Sequence, residues 1–215
     1  MIQKHEIYRG RKFHQVCRGA RQVFLRDGYE GASVDDISRA AGVSKATLYS
    51  YFPHKRLMFE EVMRNEIAEA EKQIAIAPDN ALPPSLGLPV VVETMARDAV
   101  SEIQTGLYRL GIAEARRFPK LARDYYDRIL QKRSAILAAY LDHWVARGEL
   151  DIADTRRAAD QLWRMTGAAL AERAVLLPQS TLKEASLREA CAAALELFLR
   201  AYGASRAGDI PAAAQ

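Results

Sequence analysis

The side chains best suited to chemistry in this sequence are the hydroxyl and amine groups gathered between residues 33 and 55. Lysine reaches guanine acceptors or phosphates, threonine offers a hydroxyl and a methyl group that suits thymine, and tyrosine carries its hydroxyl on a long rigid arm. Residues of these types are suited to contacting the bases and phosphates of DNA. The residues predicted to do so are Ser33, Ser44, Lys45, Ala46, Thr47, Tyr49, Tyr51 and Lys55.

Catalytic and metal-binding chemistry has no comparable pattern in the sequence. No pair among the four histidines has the spacing of a His-Glu-x-x-His zinc site. The sequence contains neither a glycine-rich phosphate loop nor a Gly-x-Ser-x-Gly turn. We therefore predict that the protein is not an enzyme, and that it has no catalytic residues, no metal site and no cofactor.

Two short helices joined by a tight turn are predicted to position the DNA-contacting residues. Ser33 and Asp36 have the spacing of a capping box, so a helix begins there, and Gly42 ends it after two turns. Ser44 caps the next helix, which runs to about Tyr51. Two capped helices around a Gly-Val-Ser turn form a helix-turn-helix, whose second helix fits the major groove of DNA.

The rest of the chain is also predicted to be helical. No stretch alternates apolar and polar residues long enough for a strand, and alanine, leucine, arginine and glutamate predominate. Proline and glycine residues interrupt the chain between residues 78 and 89. The expected fold is all-α. Besides the helix-turn-helix, helices are predicted at about residues 9–26, 55–76, 89–105, 107–117, 119–147, 154–176 and 182–202.

Positive charge is concentrated at the start of the chain. Residues 1–56 hold 11 Lys and Arg against 5 Asp and Glu, whereas the whole chain holds 31 against 27. A basic head on a slightly acidic remainder suits a polyanionic partner. No apolar stretch approaches the roughly 18 residues that span a membrane, and no apolar segment follows the amino terminus. We therefore expect a cytoplasmic protein that has no membrane partner.

The segment from about Phe24 to Phe59 resembles the DNA-binding segment of the TetR/AcrR family of bacterial transcriptional repressors. The sequence departs from the family pattern at Gly19, in a helix that glycine weakens by about 1 kcal/mol relative to alanine. It also has Ala46 where glycine is common in the family. The residues that carry the resemblance are Phe24, Gly28, Tyr29, Glu30, Gly31, Ser33–Ile37, Ala40–Lys45, Thr47–Tyr49, Tyr51, Phe52, Lys55 and Phe59.

The resemblance implies a repressor that binds a palindromic operator in double-stranded DNA as a homodimer. It implies a three-helix DNA-binding domain at residues 1–54, a helical ligand-binding and dimerisation domain at 55–203, and a flexible tail at 204–215. The last two helices are the expected dimer interface, and the alternative is that their apolar faces fill the core of one chain. The predicted interface residues are Leu162, Ala169, Leu187, Ala194 and Phe198.

The family resemblance also implies that a small lipophilic or aromatic ligand releases the protein from DNA. An aromatic pocket for this unknown effector can be built from helical side chains, although such side chains more often fill a core. The residues predicted to line the pocket are Tyr108, Tyr125, Tyr140, Trp144 and Trp163.

A redox signal is the alternative to a ligand. Cys17 lies in the basic head beside Arg18 and Arg21, which would favour its thiolate form, whereas cysteine more often acts as a small buried residue. A protein that coats DNA regardless of sequence is a further alternative. The ordered helix-turn-helix pattern disfavours it, because such a helix is suited to reading bases.

Overall fold

The computed structural model describes residues 10–74, 82–180 and 182–204, and most of these residues are helical. Within these residues there is no β-strand, and the predicted all-α fold is confirmed. Two π-helical stretches, Tyr126–Gln131 and Arg164–Ala168, interrupt the α-helical geometry. The α-helices are α1 (Arg11–Gly31), α2 (Val34–Ala41), α3 (Lys45–Tyr51), α4 (Lys55–Gln73), α5 (Pro84–Ala99), α6 (Glu102–Ala113), α7 (Pro119–Tyr125), α8 (Lys132–Ala146), α9 (Thr155–Trp163), α10 (Ala169–Leu176) and α11 (Glu184–Tyr202).

The chain divides into two compact units. The first consists of Met1–Gln73 and Gly106–Ile129, and the second of Ile74–Thr105 and Leu130–Gln215. The predicted borders after residues 54 and 203 separate a DNA-binding domain, a ligand-binding and dimerisation domain and a tail, and they remain predictions. The predicted end of the fourth helix at residue 76 lies outside the described residues, as does the predicted tail from residue 205 onward.

The core of the first unit forms around α1. Its apolar face is fully buried and consists of Phe13, Val16, Ala20, Val23 and Phe24. The buried rings pack against aromatic residues from α4 and from the end of α3: Phe24 lies 5.0 Å from Phe59, and Phe13 lies 5.6 Å from Phe52, measured between ring centroids. Aromatic burial of this kind is a large part of what holds a small helical domain together.

The first helix ends later than its sequence predicts. Gly28 has φ of 75°, the positive value expected of a helix terminator. A further short stretch of helix nevertheless follows the resulting kink and continues to Gly31. The kink thus lies close to the predicted end of this helix at about residue 26, and the helical stretch after it was not predicted.

Glycine at residue 19 lets α1 cross α2 at very short range. A Cβ atom built on Gly19 would lie 2.5 Å from the backbone nitrogen of Ala41 and 2.7 Å from its Cβ. Beside this crossing, Gln15 Nε2 donates a hydrogen bond to the carbonyl oxygen of Ala41 at 2.6 Å. The departure from the family pattern at Gly19 thus has a physical reason, since a side chain there would push the two backbones apart.

The core of the second unit is built from α5, α8, α9, α10, α11 and the second π-helical stretch. Trp144 is fully buried in it, and its indole nitrogen donates to the carbonyl oxygen of Leu82 at 3.0 Å. The helix predicted to begin at residue 89 begins at Pro84 instead. Proline fits there because the first amide groups of a helix have no acceptor within it.

Candidate nucleic-acid interface

Two serine caps fix the helix-turn-helix. Ser33 Oγ accepts a hydrogen bond from the amide of Asp36 at 3.0 Å, and Ser44 Oγ accepts one from the amide of Thr47 at 3.1 Å. Gly42 joins α2 to α3 with φ of 60° and ψ of 38°, a left-handed conformation that glycine adopts without strain. The local geometry predicted for this segment is therefore confirmed.

The carboxylate of Asp36 completes the cap of α2. It accepts a hydrogen bond from the Ser33 hydroxyl at 2.6 Å and another from the Arg39 guanidinium at 2.7 Å. These bonds, that from Ser33 first, hold the pKa of Asp36 below its ordinary value. The start of α2, where helix amides attract phosphate oxygens, is thereby kept in one conformation.

One face of α3 is open to solvent. Lys45, Ala46 and Tyr49 are exposed, while Leu48 and Phe52 are buried beneath them. An exposed face on a short, firmly capped helix is the form in which a recognition helix enters a major groove. The structure therefore leaves these three predicted contact residues available to DNA.

Thr47 and Tyr51 are only half-exposed. The Thr47 hydroxyl lies 2.9 Å from the Ser44 hydroxyl, so it also supports the cap of α3. The ring of Tyr51 packs edge-on against Phe13 with its centroid 5.9 Å away. Both side chains therefore have packing roles in the free protein, beside the DNA contacts predicted for them.

An acidic residue faces the recognition helix. The ammonium group of Lys45 forms an ion pair with the carboxylate of Asp35, and both side chains are exposed. The hydrogen bond from Asp35 raises the pKa of Lys45. A phosphate or a guanine that binds Lys45 therefore has to compete with Asp35. The sequence showed both residues, but only the fold brings α2 and α3 into this arrangement.

The Asp35→Asn variant is expected to bind DNA about twofold to fivefold more tightly, the range that an exposed ion pair is worth. It frees Lys45 and removes a negative charge next to the phosphates. Titration of the variant against one duplex at several salt concentrations measures the effect. Asp127→Asn, an exposed change outside the helix-turn-helix, is the control and should leave affinity unchanged. Weaker binding by Asp35→Asn would instead mean that Asp35 itself contacts the DNA or positions Lys45.

Lys55, at the start of α4, is tied to the junction between α1 and α2. Its ammonium group donates to the carbonyl oxygen of Ala32 at 3.0 Å and, more weakly, to that of Glu30 at 3.4 Å. It also lies 4.6 Å from the ring centroid of Tyr29, a cation–π distance. Contact between Lys55 and a phosphate stays a prediction, and in the free protein this lysine links α4 to the end of α1 and to the junction that follows it.

The ring of Tyr29 continues into an aromatic cluster within the first unit. It lies 5.2 Å from Phe59 on α4 and 4.9 Å from Phe118 at the start of α7. The guanidinium of Arg117 lies 5.1 Å from the Tyr29 ring. Residues far apart in the sequence thus meet beside Lys55, at the end of the helix-turn-helix.

A small apolar cavity adjoins this cluster. Its volume of about 20 Å³ holds about one water molecule. Tyr125 alone among the five residues predicted to bind a ligand lines it, while Tyr108 is a half-buried residue of the same unit. The other three, Tyr140, Trp144 and Trp163, pack in the second unit. The cavity is lined by Phe59, Met63, Ile67, Leu107, Leu110, Gly111, Glu114, Phe118, Leu121, Ala122 and Tyr125.

The residues predicted to form the dimer interface divide into two groups. Leu162, Leu187 and Phe198 are almost fully buried in the core of their own chain, and Ala194 is also buried. Their place in an interface stays a prediction, and in the single chain their own core covers them, since helical spacing marks an apolar face without saying what covers it. Ala169 alone among the five is exposed.

Other apolar side chains on the same helices are exposed, and sequence reasoning missed them. The exposed fraction is 69% for Leu176 on α10 and 62% for Leu197 on α11. Met165, in the π-helical stretch before α10, is 43% exposed. The sequence marks these residues only as large apolar side chains that lie outside the buried face of their helices. Among the described residues, no helix is both long and apolar enough to cross a membrane.

Comparisons with known proteins identify both halves of the chain. Residues 17–62 match the family model described as bacterial regulatory proteins, tetR family, and residues 87–204 match that of the AefR-like transcriptional repressor, C-terminal domain. The transcriptional repressor DhaR of Mycobacterium sp. (strain GP1) is 34% identical over 71 residues, which cover 33% of this chain and 35% of DhaR. The chain thus matches about a third of the length of such curated relatives.

Solved structures match nearly the whole chain. The flavonoid-responsive regulator FrrA is 32% identical with a TM-score of 0.65, and the match covers 92% of this chain and 100% of FrrA. A TetR-family regulator from Mesorhizobium loti MAFF303099 is 27% identical with a TM-score of 0.73, covering 90% of this chain and 97% of that one. Both the helix-turn-helix and the helices after it are therefore similar to those of known regulators.

Proposed function

Because the chain belongs to the TetR family of bacterial transcriptional regulators, we propose that it represses transcription by binding a palindromic operator as a homodimer. The family also places it among transcription factors rather than enzymes. The observation that carries the proposal is the exposed face of α3, held by the Ser44 cap and the Gly42 turn. In this proposal residues 1–54 bind DNA and residues 55–203 bind the partner and the effector.

The proposed contacts divide into two kinds. Lys45, Ala46 and Tyr49 reach base edges from the exposed face of α3, with Thr47 beside them. Phosphate contacts come from Ser33 and Ser44 at the amino-terminal ends of α2 and α3, where helix amides favour anions. Tyr51 and Lys55 contribute from the end of the helix-turn-helix.

Dimerisation is proposed to use the exposed apolar residues of the last helices. The exposed residues before and along α10 follow helical spacing and are Met165, Ala169 and Leu176. On α11 the exposed pair at helical spacing is Ala193 and Leu197. Large apolar side chains with such high exposure are stabilised when a second surface covers them. Two helices from each chain then form a four-helix bundle, in which small residues let the helices approach closely.

A small aromatic molecule is the proposed effector. The likeness to FrrA supports this class, since that regulator is named as flavonoid-responsive and is similar along almost its whole length. An effector weakens DNA binding only to the extent that it prefers the conformation that does not fit the operator. No comparison supports the alternative in which oxidation of Cys17 is the signal.

Selection of bound duplexes from a random DNA pool at physiological salt tests the proposed function. Enrichment of a palindrome is the expected result, because two identical heads read two identical half-sites. The Tyr49→Ala variant is the control, since it removes an exposed side chain from α3 and leaves the buried Leu48 in place. Absence of any enriched sequence from folded, dimeric protein would overturn the proposal.

A further inference from the structure

An ion pair between buried Arg133 and partly exposed Asp98 in the second unit shares its carboxylate with an amide. Arg133 on α8 is 3% exposed, and its Nη2 donates to the Asp98 carboxylate at 2.5 Å. Gln104 on α6 is 2% exposed, and its Nε2 donates to the other oxygen of the same carboxylate at 3.4 Å. The Arg133 guanidinium also lies 5.6 Å from the ring of Trp163. Three polar side chains and an indole thus meet, with Arg133 and Gln104 buried and Asp98 at the edge of the cluster.

Two polar atoms of this cluster are left without partners. Among the described residues, nothing hydrogen-bonds to Arg133 Nε, a donor, or to Gln104 Oε1, an acceptor. Each of these atoms is two bonds away from the nitrogen that binds Asp98, so both lie close to the same carboxylate. Buried polar atoms without partners are rare in folded proteins because they lose their bonds to water and gain none. A donor and an acceptor that are both buried and unsatisfied around one carboxylate indicate a missing polar group.

A π-helical stretch lies next to Arg133 in the sequence, and another lies next to Trp163. One π-helical stretch ends at Gln131, two residues before Arg133, and the other begins at Arg164, directly after Trp163. Such stretches are rare and frequently occur at functional sites. In the second stretch, a Cβ atom on Gly167 would lie 2.0 Å from the Trp163 ring. The chain is therefore shaped locally to hold the indole where it is.

The charges of the cluster select the kind of group that fits. Arg133 and Asp98 already neutralise each other, so a further buried charge would have no counter-ion. A carboxylate has no hydrogen for Gln104 Oε1, and an ammonium group cannot accept from Arg133 Nε. An uncharged hydroxyl satisfies both atoms, because its oxygen accepts from Nε–H and its hydrogen is donated to Oε1.

We propose that Arg133, Gln104 and Trp163 form the polar end of the effector site and that the effector carries an uncharged hydroxyl group. This inference rests on the proposed response to a small molecule, and it adds the location and the chemical class of the ligand. It also assigns a role in that site to Gln104 and Arg133, neither of which the sequence alone pointed to.

The test compares three small probes that differ in one group. Phenol carries the hydroxyl, benzene lacks it, and benzoate carries a charge instead. Titration calorimetry at millimolar probe concentration is expected to show phenol binding to the wild-type protein at least about tenfold more tightly than the other two, the value of one hydrogen bond to a charged group. No phenol binding, or equal binding of phenol and benzene, would overturn the proposal.

Two variants separate ligand recognition from folding. Gln104→Leu removes the unpartnered acceptor while keeping the volume, so the preference for phenol should disappear while the unliganded protein keeps or gains thermal stability. Arg133→Lys keeps a positive charge beside Asp98 but lacks the Nε donor, and it should lose the same preference. Gln179→Leu, an exposed change in the same unit, should keep it. An undiminished preference in both cluster variants would contradict the assignment.

These titrations contain no DNA, so their result can refute the hydroxyl site without refuting the proposed repressor function. A chain that selects a palindrome but does not distinguish phenol from benzene refutes the hydroxyl site alone. A chain that prefers phenol but enriches no DNA sequence refutes the repressor proposal and leaves the site in place.

Discussion

The Gly19→Ala variant is expected to be clearly less stable than the wild-type protein, although alanine is the better helix former. In an exposed helix this change stabilises by about 1 kcal/mol. Here the added methyl group would lie 2.5 to 2.6 Å from backbone atoms of Ala41, which is too close for any side-chain movement to relieve. Overpacking of this kind costs about 1–3 kcal/mol, so the sign of the effect is reversed.

Thermal unfolding followed by circular dichroism measures this prediction, with a fall of roughly 2–4 °C for each kcal/mol in a protein of this size. Gly31→Ala is the matched control in the same helix, because a Cβ atom there meets only the Cβ of Asp27 at an ordinary 3.4 Å. DNA binding should weaken in Gly19→Ala alone, since α2 carries the Ser33 cap and leads into α3. A higher melting temperature for Gly19→Ala would show that α1 and α2 are farther apart than the structure has them.

The helix-turn-helix was predictable from the sequence because its determinants are local. A serine three residues before the amide it caps, and a glycine at the one position that needs positive φ, are visible without any knowledge of the rest of the chain. Ser33, Gly42 and Ser44 all take the predicted conformations. The burial of Leu48 and Phe52 follows from the same spacing.

Contacts between distant residues were not predictable in this way. The pairing of Arg133 with Asp98 joins residues 35 positions apart, and Lys55 binds a carbonyl 23 positions away. Nothing in the local sequence of either residue distinguishes it from a solvated surface charge. The π-helical stretches are likewise invisible, because tertiary packing produces them inside sequences with ordinary helical preference.

The dimer interface shows the limit of helical periodicity most plainly. Leu187 and Phe198 lie on the apolar face of α11, and the spacing that revealed this face is the same for a core and for an interface. The structure shows that they face the core of their own chain, and it leaves Leu197, one residue away, in solvent. A rotation of about 100° around the helix thus separates a stability residue from a candidate contact residue.

The Leu197→Glu variant is accordingly expected to be monomeric while remaining folded. Its side chain is exposed in the single chain, so the glutamate is solvated there, whereas a dimer would bury two unpaired carboxylates at its interface. Sedimentation velocity measures the change in mass. Leu86→Glu, which alters a comparably exposed leucine at the start of α5, is the matched control and should leave the dimer intact.

Operator affinity should fall with the dimer, by a factor on the order of 10² to 10⁴, because the second half-site is then no longer bound intramolecularly. Binding of the variant to an isolated half-site should be unchanged, since α3 and its caps belong to the other unit. A Leu197→Glu protein that stays dimeric would place the interface elsewhere on the chain. A monomeric variant with wild-type operator affinity would mean that each head binds alone, and the palindrome would then lose its physical basis.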